Sequence, residues 1–338
     1  MKDSSRRHRI INNQFPTMGA CRNDCHYFLD FIKILCRRSL KNRYFLIEAC
    51  ADLYHWDMGC PRLLVLMSTH NRPVELFASL SYLCDSVPTG GFLVSLTNSG
   101  EQIEIPTDLG IEVSIKIVPQ NYFWAEAMYS ASLLFEGADE FTHVLWLNDD
   151  VTLFPNSIND LHDLMRSTGA DIVVGQTSSE DGQVTYGGFV RHSALKPLHF
   201  RRIFAQDQPL SADTFNGNVV LLGVRALSRI GPFLPGYKHY LADIAYGLEA
   251  TNQGLKILVA PGFSGACEPN LSVNPSLDTR VTRIKRLQMI NEPQGIPFRQ
   301  QWLFSLRYGG ALGILYYFAA YLRFSLTLMF YKKTSPDC

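Results

Sequence analysis

Between residues 61 and 270, short apolar runs alternate with longer stretches in which apolar residues recur at helical spacing. Seven runs have the length of buried strands: 63–67, 91–96, 113–118, 143–147, 171–174, 218–222 and 256–260. Repeated alternation of strand and helix is typical of a Rossmann-like sheet. The pattern therefore predicts an α/β fold in which a mostly parallel mixed sheet is flanked by helices.

The first sixty residues lack this alternation. Around 28–47, apolar residues fall near helical spacing, with five Lys and Arg residues between them. This pattern predicts a basic amphipathic helix or a pair of such helices. They either attach the chain to an anionic membrane surface or cap the main domain.

The chain changes character again after residue 270. Residues 308–322 are fifteen uncharged residues followed by Arg323. A bilayer span needs roughly twenty residues, and an Arg inside it costs about 2.5–3.5 kcal/mol. Helices lying in the membrane interface, with Trp302 and Tyr308 at headgroup depth, fit better than a single span. Packing on the protein itself is the third alternative.

Charge is distributed unevenly over these three regions. The 338 residues carry 31 Lys and Arg against 31 Asp and Glu, which argues against a nucleic-acid binder with a basic surface. Residues 61–279 carry 12 basic and 23 acidic side chains, whereas residues 280–338 carry 9 and 2. A basic end attracts anionic lipid, which the acidic middle repels. We predict a basic helical extension at 1–60, a catalytic domain at 61–270 and membrane-associating C-terminal helices at 271–338.

Cysteine usage bears on the compartment. The eight Cys residues show no disulfide-framework spacing, and the first twenty residues contain no apolar signal segment. We therefore expect a cytoplasmic protein with reduced thiols, peripheral on the inner face of the membrane.

Two acidic residues end the predicted strand 143–147. In open α/β sheets, ligands bind outside the carboxyl ends of the strands, where Asp149 and Asp150 fall. Adjacent carboxylates at an abrupt turn, together with a diphosphate, form a natural Mg²⁺ or Mn²⁺ site. The alternative is an ordinary solvated turn.

A third candidate carboxylate is Asp243. The sequence around it predicts the first turn of a helix that ends near Gly254. An Asp at this position commonly interacts with the helix dipole, but one at the rim of a ligand crevice also suits a general base.

Together these segments resemble the family 2 inverting glycosyltransferases of the GT-A fold, in particular bacterial surface-polysaccharide enzymes of the rhamnosyltransferase-like type. The resemblance covers about residues 61–270. It is carried by five segments in order: Ser68-Thr-His-Asn-Arg-Pro73, Leu147-Asn-Asp-Asp-Val151, Phe215-Asn-Gly-Asn-Val-Val-Leu221, Ala242-Asp-Ile-Ala-Tyr-Gly-Leu248 and Val259-Ala-Pro-Gly262.

The resemblance implies transfer of a sugar from a nucleotide-sugar donor to a glycan or glycolipid acceptor in lipopolysaccharide or capsule synthesis. Asp150 would coordinate Mg²⁺ or Mn²⁺ on the donor diphosphate, and Asp149 would contact the ribose or the metal shell. Asp243 would be the catalytic base. The residues matching the nucleotide-binding loops are Thr69, Asn71, Arg72 and Asn98. Trp124 either stacks on the ligand or packs.

On the acceptor or sugar side, the resemblance points to Asn216 and Asn218, although Asn is also a common turn residue. Three positions depart from the family pattern. Thr97 stands where many relatives have Asp, while Ala245 and Glu249 stand where relatives often have Asp and Arg. These departures leave open a catalytically silent binding or scaffold protein. A sugar nucleotidyltransferase is a further alternative, but no Gly-rich basic loop follows the first strand.

Overall fold

The computed structural model of the chain describes residues 63–87, 92–135, 141–193, 196–239, 241–269, 276–278 and 281–329. Every described residue belongs to one compact unit, 58–338. The predicted helices at 1–60 lie outside the described residues.

The described residues form fifteen strands. They are β1 (Leu63–Thr69), β2 (Phe92–Asn98), β3 (Glu112–Ile117), β4 (His143–Leu147), β5 (Thr152–Leu153), β6 (Ile172–Val174), β7 (Thr177–Ser178), β8 (Val184–Tyr186), β9 (Gly188–Ser193), β10 (Lys196–Arg202), β11 (Leu210–Ser211), β12 (Thr214–Phe215), β13 (Val219–Leu222), β14 (Ile257–Val259) and β15 (Gly265–Ala266). All seven predicted strands are present, with ends shifted by one or two residues.

Eight α-helices accompany the strands in this part of the chain. They are α1 (Pro73–Ser86), α2 (Trp124–Ser132), α3 (Ser157–Thr168), α4 (Val224–Arg229), α5 (Ala242–Asn252), α6 (Arg283–Met289), α7 (Phe298–Tyr308) and α8 (Gly313–Met329). Short 3₁₀ turns cover Thr107–Leu109, Leu133–Phe135 and Gly310–Leu312.

Eight strands build the main sheet in the order β11-β14-β6-β13-β4-β1-β2-β3. β1, β2, β3 and β4 are parallel, and Thr69 of β1 lies opposite Asn98 of β2. β13 runs antiparallel to β4 and β6, and β11 antiparallel to β14. Two small sheets, β10-β9-β12 and β5-β15-β7-β8, lie beside it. The predicted α/β class with a mostly parallel mixed sheet and flanking helices is confirmed.

Alternating side chains of β1 enter two apolar layers, as expected for a strand buried on both faces. Val65 and Met67 belong to the same buried cluster as α1 and α3 residues such as Leu80 and Leu161. Leu64 and Leu66 belong to a second cluster that includes residues of α2, α4 and α5. Both faces of the sheet are therefore covered, and ligands approach at its edges.

The C-terminal helices pack against the sheet domain in part. Phe304 and Tyr308 of α7 form a small buried cluster with Ala245 and Leu248 of α5. Tyr308 is only 4% exposed, so its ring packs inside the protein and does not face solvent, and its expected headgroup depth stays a prediction. Its ring is part of the contact between α7 and α5. The two helices are far apart in sequence, so local periodicity does not predict this contact.

Candidate active site

The predicted site residues lie at one edge of the main sheet. The parallel strands β1, β2 and β4 end there, at Thr69, Asn98 and Leu147, and the antiparallel β13 begins there at Val219, opposite Leu147. The backbone N–H of Asn148 donates to the carbonyl of Asn218 at 3.1 Å. The strand directions thus bring the loops after β1, β2 and β4 to the loop before β13.

Asp149 and Asp150 follow β4 and face the guanidinium of Arg72. Nη1 of Arg72 lies 2.7 Å from Oδ2 of Asp150 and 3.5 Å from Oδ1 of Asp149. Arg72 precedes α1, where Pro73 occupies the first helical turn and favours the start of a helix. The two predicted carboxylates and the predicted Arg are therefore brought together, with the Arg as their countercharge.

Burial raises the pKa of the Asp149 carboxyl to about 6. The Thr69 hydroxyl and Arg72 lower this pKa but do not offset the burial, to which the neighbouring charge of Asp150 adds. The side chain of Asp149 is 10% exposed and that of Asp150 is 23% exposed. Asp149 is therefore the deeper of the two carboxylates and gains most from an additional cation.

The donor atoms at this edge suit a cation that is shared with a ligand. Within the described ranges, no cluster of three or more His, Cys, Asp or Glu side chains could hold a metal ion by itself. Mg²⁺ is commonly bound by one or two carboxylates, with substrate phosphates and water completing the shell. Asp149 and Asp150 fit that role, and a cation bound there would compete with Arg72 for the same oxygens.

Cys267 is a neighbour of Asp150 that the sequence does not reveal. It follows β15, and its Sγ lies 3.6 Å from Oδ1 of Asp150 and 3.7 Å from Nδ2 of Asn218. Burial raises the pKa of the Cys267 thiol to about 12, and the charge of Asp150 acts in the same direction. The thiol is therefore neutral and donates its S–H toward the carboxylate.

Trp124 lies between the loop after β4 and the loop before β13. Its indole Nε1 donates to Oδ1 of Asn148 at 2.9 Å, and its ring packs edge-on against Phe233 and Trp146. A Cβ on Gly217 would lie 2.7 Å from Cη2 of Trp124, so only glycine fits beside the ring. Packing thus occupies much of the Trp124 surface, and stacking on a nucleotide stays a prediction.

Asp243 lies in the first turn of α5 on the far side of this tryptophan. Its Oδ2 accepts a hydrogen bond from the backbone N–H of Gly217 at 3.1 Å, and its Oδ1 accepts one from Ile244 at 2.8 Å. The Asn216 side chain also hydrogen-bonds to the carboxylate. The loop before β13 therefore holds Asp243 at the same sheet edge as Asp149 and Asp150.

Burial raises the pKa of the Asp243 carboxyl, although the N–H groups of Ile244 and Gly217 oppose the shift. A raised pKa makes a carboxylate a better proton acceptor. Leu241, directly before the helix, has φ 63°, which is rare for a residue with a branched side chain. Strained backbone of this kind clusters at functional sites, and here it sets the entry of the helix that carries Asp243.

The remaining predicted nucleotide-loop residues fix the loops to each other. Oδ1 of Asn71 accepts from the backbone N–H of Glu101 at 2.8 Å, and Asn71 has φ 55°. The Asn98 amide donates to the Glu101 carbonyl and accepts from the Gly100 N–H. The structure shows these side chains shaping the loops, and their contact with a nucleotide stays a prediction.

The departures at Ala245 and Glu249 have a packing explanation. Ala245 is fully buried against α7, so a larger polar side chain has no room there. Oε2 of Glu249 accepts from Nε and Nη2 of Arg307, at 3.1 and 2.8 Å, and from the Tyr308 hydroxyl at 3.3 Å. This face of α5 is therefore used to dock α7.

No protein-family model and no curated protein sequence matches this chain. Among the solved structures that match is a crystal structure of GalNAc-T7 with UDP, GalNAc and Mn²⁺, at 12% sequence identity and a TM-score of 0.47. The alignment covers 62% of this chain and 44% of the other, so this chain spans less than half of that protein. Similarity at this level assigns no substrate, metal or mechanism to this chain.

The sequence pattern missed three residues of the site: Asn148, Gly217 and Cys267. Asn148 and Gly217 adjoin predicted residues, and their polar or glycine character at strand ends was an available signal. Cys267 lies 117 positions from Asp150 and gives no local signal, because only the pairing of β15 with β5 and β7 brings it there.

Proposed function

We propose that this protein is a metal-dependent inverting glycosyltransferase that transfers one sugar from a nucleotide-sugar donor to a glycan or lipid-linked acceptor. One observation carries the proposal. Asp149 and Asp150 after β4 and Asp243 on α5 lie at one edge of the main sheet and are linked through Asn148, Trp124 and Gly217. Two carboxylates for a cation and a third for a proton are the groups that this chemistry needs.

In the proposed reaction, Asp150 and Asp149 hold Mg²⁺ or Mn²⁺, which supplies the positive charge that stabilises the leaving nucleoside diphosphate. The acceptor hydroxyl oxygen forms a bond to the anomeric carbon as the bond from that carbon to the diphosphate oxygen breaks. The electron pair leaves with the diphosphate, and the hydroxyl proton passes to Asp243. Attack from the face opposite the leaving group inverts the configuration.

Other residues have supporting roles in this proposal. Arg72 would pair with the donor diphosphate, since a guanidinium pairs well with phosphate oxygens. Cys267 orients Asp150 through its S–H. Asn216, which hydrogen-bonds to Asp243, and Asn218, which lies beside Cys267, face the sugar or the acceptor. Thr69, Asn71 and Asn98 shape the nucleotide loops.

The biological setting belongs to the proposal as well. Basic ends around an acidic middle support association with an anionic membrane surface. Among the described residues, one segment, Gly310–Met329, is long and apolar enough to cross a membrane by length and composition, and 11% of it is buried. We place the enzyme on the cytoplasmic face of the membrane, acting on a lipid-linked acceptor in cell-surface polysaccharide synthesis.

A panel of nucleotide sugars with Mn²⁺ or Mg²⁺, in the presence of membrane lipid extract, tests the reaction class. We expect release of nucleoside diphosphate from one donor, and proton NMR of the new glycosidic bond should show the anomeric configuration opposite to that of the donor. Retention of configuration would contradict the role of Asp243. Donor binding without any turnover would favour the catalytically silent alternative.

A further inference from the structure

The three C-terminal helices expose a set of apolar side chains that no described residue covers. On α8 they recur every three or four positions and therefore form one stripe: Leu315, Phe318, Leu322, Leu326 and Met329. Helices α6 and α7 add further exposed apolar residues: Ile284, Leu287, Trp302, Leu303 and Leu306. Phe318 and Leu322 are 61% and 62% exposed. Surfaces of this kind mark interaction sites, and we call these ten residues the C-terminal apolar surface.

Charge around this surface indicates the partner. Residues 281–329 carry six Lys and Arg side chains but only one acidic side chain, Glu292. Arg286 is buried and Arg307 pairs with Glu249, and the other four basic side chains are Arg283, Lys285, Arg299 and Arg323. A second copy docked face to face would bring two such positive surfaces together. An anionic bilayer satisfies both features, because acyl chains take up the apolar stripe and phosphates attract the basic side chains.

The two ends of α8 are attached to the rest of the protein. Arg286 of α6 is fully buried; its Nη1 donates to the Thr327 carbonyl at 3.2 Å and its Nη2 to the Thr327 hydroxyl at 2.6 Å. Nη2 of Arg283 donates to the Met329 carbonyl at 3.1 Å. At the other end, Gly313 packs directly on the Ser305 carbonyl of α7.

We infer that α6, α7 and α8 lie flat on one leaflet of an anionic membrane and that α8 does not cross it. A spanning α8 would carry Thr327 and Met329 about 25 Å from its first residues along the bilayer normal. It would then break their bonds to Arg286 and Arg283. The inference rests on the membrane association proposed above and adds the contact residues and the orientation.

This arrangement also places the candidate active site near the lipid. Helix α7 packs on Ala245 and Leu248 of α5, whose first turn carries Asp243. A membrane-bound α7 therefore keeps Asp243 within about 20 Å of the leaflet, given a rise of about 1.5 Å per helical residue. An amphiphilic acceptor whose headgroup stands at the membrane surface matches that distance.

Flotation of the full chain with vesicles, without any donor, tests the surface. The probes are phosphatidylcholine vesicles with and without about one-third phosphatidylglycerol. Phe318→Glu and Leu322→Glu, each tested singly, should weaken binding to the anionic vesicles about tenfold or more, because each places a charge among acyl chains. The matched control is Ile117→Glu, at an exposed apolar position (60%) on β3, and it should bind like the wild type. Equal binding of all four proteins, or no binding by the wild type, would overturn the inference.

Protease protection tests the orientation. A cleavable epitope tag is fused after Cys338, and the protein is added to the outside of sealed anionic vesicles. If α8 lies on the leaflet, protease removes the tag without detergent. Protection of the tag until detergent is added would show that α8 crosses the bilayer and would overturn the flat arrangement. Neither assay uses a nucleotide sugar, so its outcome is independent of whether the protein transfers sugar.

Discussion

At the scale of single residues, Asp149 is held in surroundings that oppose the charge its proposed task requires. Burial raises its pKa to about 6, above the unperturbed value of about 3.9 for Asp. Without a cation, Asp149 of the folded protein therefore keeps its proton up to about pH 6, and its ionisation costs stability as the pH rises from the unfolded-state pKa to that value. A bound cation reverses this preference, because it interacts favourably only with the carboxylate.

The first prediction is a pH dependence of metal binding. Lowering the pH from 7.5 to about 5 should weaken Mn²⁺ binding more than tenfold, because the proton and the metal compete for Asp149 with an apparent pKa of about 6. Calorimetric titration or the electron paramagnetic resonance signal of free Mn²⁺ measures this. Affinity that is constant between pH 5 and 7.5 would place the metal elsewhere.

The second prediction concerns Arg72, whose guanidinium occupies the carboxylate oxygens that the cation needs. Arg72→Ala should tighten Mn²⁺ binding to the free protein by about fivefold, the size expected for a pair whose Arg is 43% exposed. The same variant should bind the nucleotide sugar more weakly. Arg166→Ala on α3, an exposed Arg in a surface pair, is the control. Weaker Mn²⁺ binding in Arg72→Ala would mean that the Arg supports the metal rather than competing with it.

At the scale of helices and strands, the packing of α7 on α5 explains Ala245 and Glu249, the two residues of α5 that depart from the family pattern. Burial works against a charge on Glu249, but hydrogen bonds from Gln253, Arg307 and Tyr308 lower the pKa of its carboxyl. Because the folded state lowers this pKa, the contribution to stability is complete above the usual carboxyl range and is lost as the pH falls below it.

The third prediction is that Glu249→Ala destabilises the protein by about 1–2 kcal/mol, because Arg307 and Tyr308 lose their acceptor. Thermal unfolding at neutral pH should show a lower Tm, and the difference from wild type should shrink below about pH 4. Glu249→Gln keeps an acceptor oxygen and should lose less. Glu112→Ala at an exposed position on β3 is the control. An unchanged Tm would mean that α7 docks through apolar contacts alone.

The sequence pattern was sufficient to predict elements whose buried residues recur at a regular local spacing. Each predicted strand of the main sheet is a run of four to six residues in which apolar side chains predominate, and both faces of β1 are covered as a parallel strand requires. The antiparallel direction of β13 could not be predicted from its own residues, because a strand buried on both faces is apolar in either direction. The links from Trp124 to Asn148 and from Cys267 to Asp150 depend on pairings distant in sequence.

At the scale of the whole molecule, the uneven charge along the sequence corresponds to two different parts of the structure. Acidic side chains predominate in the sheet domain, where Asp149, Asp150 and Asp243 lie at one sheet edge, while Lys and Arg predominate in the C-terminal helices. An acidic surface repels a nucleoside diphosphate unless a divalent cation accompanies it. We therefore expect the cation and the donor to bind together, and neither to bind tightly alone.

The central claim is that the two carboxylates after β4 and the one on α5 form a single active site with different tasks. Donor binding with Mn²⁺ and release of nucleoside diphosphate, measured side by side for wild type, Asp150→Ala, Asp243→Asn and the exposed control Asp207→Asn, test it most directly. We expect Asp150→Ala to lose metal-dependent binding and turnover. Asp243→Asn should bind the donor like the wild type while turnover falls on the order of a thousandfold. If Asp243→Asn turns over at the wild-type rate, the three carboxylates do not act as one site and the account is contradicted.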